Sequence, residues 1–444
     1  MAAPAAKRSV DGSAAIPEDV LLDIFCRLRI KDLFRFAVTS IWWLRLFTDP
    51  AFLPGLLPAQ GQGHGARLLG FFFQRTMFVR CEMMMKARTM QRASAFAPTF
   101  FPTPGSLLGP TERALTSFVA DDDGDFNYAE PLAARCGLVL MGLVPKTFGL
   151  DAPSSKTGHL FGVCNPVTGE RHVVTPMDCD TCRRQCVAGY AIVTAADNSD
   201  LNGDHQSRRH VFSQLLIITC PAPAECNNGD LHLHSYSAST RRWSAPTSWC
   251  RAPRGMVVSS AAVHQGAAHW LYANLITPME AREEFYILTV ELATTCVSFT
   301  KIPAVTVGQT PFLCISKEGR LSITSVFGMH VQVWTRQDGG PTSWLRARLI
   351  PIPIAMPDAM VQRQDWYEFN GGVMLVLYRG GDVFVLDLEK KVIEKIMAFP
   401  PRLLGTRFVT MVPYEMDLSE FFVSQLGGWL AGGKSHIDAV KELI

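Results

Sequence analysis

FGVCNPVTGERHVV, residues 161–174, holds a strand, a polar turn and a second strand in one short stretch. The same form recurs downstream in LHLHSYSASTRRWS (231–244), YILTVELATTCVSFT (286–300), VQVWTRQDGGPTSWLRA (331–347) and VFVLDLEKKVIEKI (383–396). Marked at their turn entries, Asn165, Ser237, Glu291, Thr335 and Asp387, the copies lie 72, 54, 44 and 52 residues apart. Those intervals bracket the length of a four-stranded propeller blade, and repetition of a supersecondary unit at such a period marks a radial β architecture. Five blades can be counted this way. Residues 67–119 are predicted to supply strands of a sixth, with a closing strand over 407–414, so the expectation is a ring of about six. A blade buries its two faces only against its neighbours, and closure leaves short, protected edges. Two β-sandwiches are the competing solution, which the short period disfavours.

Outside these copies, alternating or continuous apolar runs predict strands over 138–144, 190–194, 211–219, 257–263, 268–272, 320–326 and 373–378. Helical periods are scarce beyond residue 110. The exception lies at the other end of the chain. Pro17 suits a first helical position, Glu18 and Asp19 put negative charge on a first turn, and Val20, Leu21, Ile24, Phe25 and Leu28 recur at helical spacing. A second run carries Leu33, Phe34, Phe36 and Ala37, and a third carries Trp42, Trp43, Leu46 and Phe47 before Asp49 and Pro50 stop it. Three short helices are expected over residues 16–53.

A unit below about 40 residues rarely buries enough surface to stand alone. This one holds more apolar side chains than one small core accepts, so part of them must face another surface. That surface belongs either to a partner protein or to the rest of this chain, with the helices packed on the larger domain as a cap.

The segment IPEDVLLDIFCRLRIKDLFRFAVTSIWWLRLFTDPAF (16–52) resembles the F-box, the module by which substrate receptors attach to the Skp-family adaptor of cullin-based ubiquitin ligases. Pro17, Asp19, Leu21, Ile24, Arg27 and Leu28 match the opening of the motif. Leu33, Arg35 and Phe36 match its middle, and Trp43, Asp49, Pro50 and Phe52 its end. Arg29, Thr39, Ile41 and Trp42 depart from it, the last two by adding apolar area. RCGLVLM (135–141), CNPVTGER (164–171) and SYSASTRRW (235–243) are similar to the F-box-associated, kelch-like propeller regions of plant F-box proteins. The resemblance implies an adaptor interface on Pro17, Leu21, Ile24, Phe25, Leu28, Leu33, Phe36 and Trp43, a cullin reached through the adaptor, and an unidentified protein target on the propeller.

The intervening residues 54–65 are rich in Pro and Gly and read as a linker; GQGHG within it lacks the spacing of a phosphate loop. Residues 66–415 form the expected propeller, flanked by a leader (1–15) predicted to be disordered and a peripheral tail (416–444). The charge balance, 42 basic against 40 acidic residues, gives no field that argues for nucleic acid, and the basic stretch 67–92 falls short of a stripe. No apolar run is long enough to span a membrane. Twelve cysteines without a secretory signal suggest reduced thiols in cytoplasm or nucleus.

Sites for chemistry are sparse. Cys179, Cys182 and Cys186, with His172 nearby, are spaced for zinc but lack a fourth ligand at motif distance. The run Asp121, Asp122, Asp123, Gly124 and Asp125 fails the register of a calcium loop and reads as a polar turn. His232 and His234 fall on one face of a strand with no third ligand. No nucleophile elbow, metalloprotease helix or kinase set is present. The expectation is therefore a non-catalytic receptor subunit without cofactor or metal, the alternative being a propeller enzyme or zinc protein whose helices only cap the ring.

Overall fold

The run Leu215 to Ile218 shows why the sheets stack face to face. In a strand, successive side chains point to opposite faces. Leu215 and Ile217 pack with Leu138, Leu140, Phe161 and Val163 of the preceding sheet, whereas Leu216 and Ile218 pack with Ala268, Trp270, Leu288 and Val290 of the following one. All of these are buried. A sheet with two apolar faces finds cover only by sitting between two others, and a row of such sheets closes on itself.

In the computed structural model the described residues are 17–25, 27–28, 30–49, 52, 68–79, 91–94, 98–104, 106, 108–121, 123–127, 129–143, 160–177, 185–197, 211–221, 231–249, 259–274, 284–302, 311–316, 319–327, 330–337, 344–351, 365–369, 373–377, 382–387, 392–398, 409–417 and 421. Among these, the chain is mainly β with helices at its N-terminal end, and the strands group into six sheets. Five are built from continuous segments. Sheet II joins Glu130–Arg135, Leu138–Leu143, Leu160–Cys164 and Arg171–Val174. Sheet III joins Gln185–Thr194, Phe212–Pro221 and Leu231–Ser237, with Arg242–Trp243 and Thr247–Trp249 sharing the outer edge. Sheet IV joins Ala262–His264, Ala267–Asn274, Glu284–Glu291 and Val297–Lys301. Sheet V joins Phe312–Ile315, Leu321–Phe327, His330–Arg336 and Trp344–Pro351. Sheet VI joins Asp365–Phe369, Val373–Leu377, Asp382–Asp387 and Val392–Ala398.

Sheet I is assembled from both ends of the β region. Val409–Glu415 pairs with Leu68–Val79, which pairs in turn with Thr99–Pro102, and that strand with Arg113–Ala114. Phe72 thus lies opposite Val412 on one side and Phe100 on the other. The first strands of successive sheets touch in series, from Val409–Glu415 through Glu130–Arg135, Gln185–Thr194, Ala262–His264 and Phe312–Ile315 to Asp365–Phe369. This is a β-propeller whose seam is closed by its last strand.

Two polar contacts tie neighbouring sheets together. The buried Tyr414 hydroxyl donates to the Gly137 carbonyl at 3.0 Å, joining the closing strand to the first turn of sheet II. Arg135 forms a two-pronged pair with Asp197 at 2.6 and 2.8 Å and also donates to the Ile192 carbonyl at 3.1 Å, binding sheet II to sheet III. Burial works to raise the Asp197 carboxyl, but Arg135 and two hydrogen bonds from Thr194 hold it below the usual carboxylate range.

The structure redraws two expectations. The strand predicted over 257–263 is split: Ser259–Ser260 runs parallel to Gln185–Thr194, and Ala262–His264 opens the next sheet. Met416 and Phe421 belong to the segment expected at the periphery, yet both are buried, the Met416 methyl lying where a side chain on Gly137 would otherwise sit.

Candidate adaptor-docking surface

Among the described residues three helices precede the ring: α1 (Glu18–Phe25), α2 (Ile30–Thr39) and α3 (Ile41–Thr48). The Pro17 carbonyl accepts the N–H groups of Val20 and Leu21, so Pro17 stands just ahead of the first helical residue. Ser40 separates α2 from α3, and its hydroxyl accepts the Trp42 N–H at 3.2 Å, capping the third helix.

The expected interface residues divide in two. Leu21, Phe25 and Leu33 point inward and, with Ala37, Leu44, Phe47 and Phe52, are buried. Phe25 sits at the centre, its ring 4.9 Å from Phe47 and 5.0 Å from Trp43 in edge-on contact. Their place in the interior makes these residues the frame of the module. Leu28 and Trp43 are half-buried, and Pro17, Ile24 and Phe36 are exposed.

Two exposed side chains join this outer set. Val20 lies one turn before Ile24 on α1, and the two are 43% and 45% exposed. Trp42 is 52% exposed and Phe36 39%. The rings form a chain across α2 and α3, with Phe36 6.2 Å from Trp43 and Trp43 4.4 Å from Trp42. Solvent-facing aliphatic and aromatic groups of this size on one small module are what a docking surface requires. Val20 and Trp42 were not among the residues implied by the motif; the helical period of Val20 with Ile24 and the extra apolar area at Trp42 were the signals available.

The buried half of the module does not end at its own helices. Phe47 and Phe52 belong to one continuous cluster with Phe72, Phe100, Phe118, Tyr414 and Phe421, the side chains that fill the seam between sheets I and II. Burial in this seam pushes the Cys164 thiol up to about 12, which removes it from thiolate chemistry.

Residues 15–54 match the family model of the F-box domain. The chain carries an F-box. No curated protein matches the chain. Among solved structures, it is similar to an oligogalacturonate lyase from Vibrio parahaemolyticus at 10% identity and a TM-score of 0.37, covering 74% of this chain and 79% of that one. An oligogalacturonate lyase in complex with manganese gives 10% identity and 0.38, over 74% and 78%. The β-propeller domain of the Trilobed protease from Pyrococcus furiosus gives 10% and 0.35, over 74% and 81%. At these values the likenesses carry no functional information.

The other sequence-predicted sites resolve as structure. The Asp121 carboxylate accepts the N–H groups of Asp125 and Phe126 at 2.9 and 3.0 Å and pairs with Arg171 at 3.0 Å, so the acidic run is a capped turn. His234 is buried, with its Nε2 3.1 Å from the Thr219 hydroxyl. Cys179 and Cys182 lie outside the described residues, as does Arg29, and among the described residues no group of three metal-ligating side chains is found.

Proposed function

We propose that this protein is the target-binding subunit of a Skp, cullin and F-box ubiquitin ligase. The observation that carries the reading is the F-box over residues 15–54 with a solvent-facing apolar surface of Val20, Ile24, Phe36 and Trp42 on its helices. The Skp-family adaptor covers that surface together with Pro17, Leu28 and Trp43, while Leu21, Phe25 and Leu33 hold it in shape. The adaptor brings a cullin, and the propeller holds a protein target close to the ubiquitin-charged enzyme. Its contribution is proximity, with no bond made or broken by this chain. Residues 66–415 read as the kelch-like, F-box-associated propeller of plant proteins, and cytoplasm or nucleus is where such a ligase works.

The test is capture of a purified Skp-family adaptor by the full chain and by the Ile24→Asp, Phe36→Asp double variant. Both positions are solvent-exposed, so the ring stays folded and its thermal transition is retained. Loss of capture by the variant is expected. Capture at the wild-type level by a folded variant overturns the assignment.

A further inference from the structure

Sheets II and III part at one end to leave a cleft of about 440 Å³, within the usual range of about 300–1,000 Å³ for ligand sites. Its floor is apolar: Leu138 and Val163 from sheet II and Phe212 from sheet III, all buried. Its rim is polar, with Glu170 and His172 on one wall and Ser213 and Ser239 on the other.

The sign of the rim follows from strand alternation. CNPVTGER folds as a hairpin in which the Asn165 side chain accepts the N–H groups of Val167 and Thr168 at 3.0 and 3.3 Å. Gly169 takes the left-handed conformation at φ 82° that lets the chain reverse. In the strand that leaves this turn, Glu170 and His172 fall on one side and Arg171 on the other. Arg171 is drawn away to the turn between sheets I and II, where it pairs with Asp121 and Asp123 at 3.0 and 3.2 Å. Glu170 therefore faces the cleft without the basic neighbour that its own sequence supplies. Among the described residues it has no ion-pair partner; its one side-chain contact is with the Thr168 hydroxyl at 3.5 Å. His172 lies 5.6 Å from the Phe212 ring, and no hydrogen bond engages its imidazole among the described residues. No lysine or arginine is among the described residues that line the cleft.

We infer that this cleft takes a basic side chain of a protein target. An alkyl stem lies along the exposed Val211 and the edge of Phe212 over the apolar floor, and its cationic head reaches the Glu170 carboxylate at the rim. Long basic side chains divide in this way between apolar and polar surroundings. An acidic ligand would meet Glu170 with no compensating charge. The inference rests on the reading of the propeller as the target-binding part of a ligase, and names the chemistry of the target that the site accepts.

The probe is a capped Gly-Gly-Lys-Gly-Gly peptide, with a norleucine peptide as its uncharged counterpart. Binding to the full chain is followed by saturation-transfer NMR and competition. The lysine peptide is expected to bind and the norleucine peptide to bind up to about fivefold more weakly, the upper range for a partly exposed ion pair. Glu170→Gln, a rim substitution that preserves the Thr168 contact, is expected to abolish the difference. Asp123→Asn, an acidic group outside the cleft, is expected to leave it unchanged. Equal binding of the two peptides, no binding of either, a difference that survives Glu170→Gln, or an equal loss in Asp123→Asn each overturns the inference. Adaptor capture by Glu170→Gln separates the two readings: it stays at the wild-type level if only the cleft is misassigned, and is already absent from the wild type if the ligase reading fails.

Discussion

Truncating Trp42 to alanine tests the docking surface with the least disturbance to the fold. A tryptophan buries about 150–250 Å² when fully covered, and Trp42 is 52% exposed, so a partner seated on it removes roughly 80–130 Å² from water. At about 25 cal/mol per Å² this amounts to about 2–3 kcal/mol, or roughly 30- to 150-fold in Kd. The assay is calorimetric titration of the full chain with a Skp-family adaptor, paired with a thermal melt of each protein alone. The expected pattern is a large rise in Kd with a melt close to that of the wild type, because Trp42 touches its own module through Trp43 at the surface. Phe47→Ala gives the opposite pattern. It is fully buried, so the change costs about 3–5 kcal/mol of stability. A Trp42→Ala protein that binds within twofold of the wild type refutes the assignment of this face.

Removing Arg135 alone, as Arg135→Met, strands the Asp197 carboxylate in the interior and is expected to cost about 3–5 kcal/mol in denaturant unfolding. Arg135→Met with Asp197→Asn, which removes the stranded charge and keeps an oxygen to accept from Thr194, is expected to recover most of that loss, and a double variant no better than the single one contradicts the pairing. His269 is a pH-sensitive element of the ring. Burial, the Arg336 guanidinium and His264 depress its pKa to about 4. The unfolded chain therefore takes up a proton near pH 6.5 that the folded chain refuses, so the stability is fully present above about pH 6.5 and is lost as pH falls towards 4, by up to about 3 kcal/mol. His269→Gln is expected to flatten the stability curve between pH 6.5 and 4 relative to the wild type; parallel curves count against this role for His269.

How much of this was legible in the sequence depended on the distance between cause and effect. The run Leu215 to Ile218 declares a strand buried on both faces, and CNPVTGER declares its own turn, because those signals are local. The short edge strand Thr247–Trp249 does not, since an outer strand meets fewer neighbours and its composition is less constrained. On the F-box the helical period identifies Leu21, Ile24, Phe25 and Phe36 as apolar positions but does not assign them to core or surface. The packing of α1 against α2 and α3 decides that, turning Leu21 and Phe25 in and leaving Ile24 and Phe36 exposed. The cleft between sheets II and III was not readable, because Glu170 and Ser239, far apart in the chain, are brought to its opposite walls only by the packing of the two sheets.

The apolar surplus of the leading helices is spent in two directions, one against the ring and one towards solvent. Phe47 and Phe52 are sealed into the cluster that also holds Phe100, Tyr414 and Phe421. Val20, Ile24, Phe36 and Trp42 remain in water. The same cluster contains the strand that closes the propeller, so whatever orients the F-box also orients sheet I. The Pro- and Gly-rich composition of residues 54–65 would suit a free hinge, but a connection's own stiffness matters little when the module at its end is anchored by buried aromatic contacts. The outer face with Val20, Ile24, Phe36 and Trp42 is then held at a set angle to the sheet II and III cleft. On the proposed ligase reading that angle is the contribution of this chain, since it sets how near a target lies to whatever the helices hold.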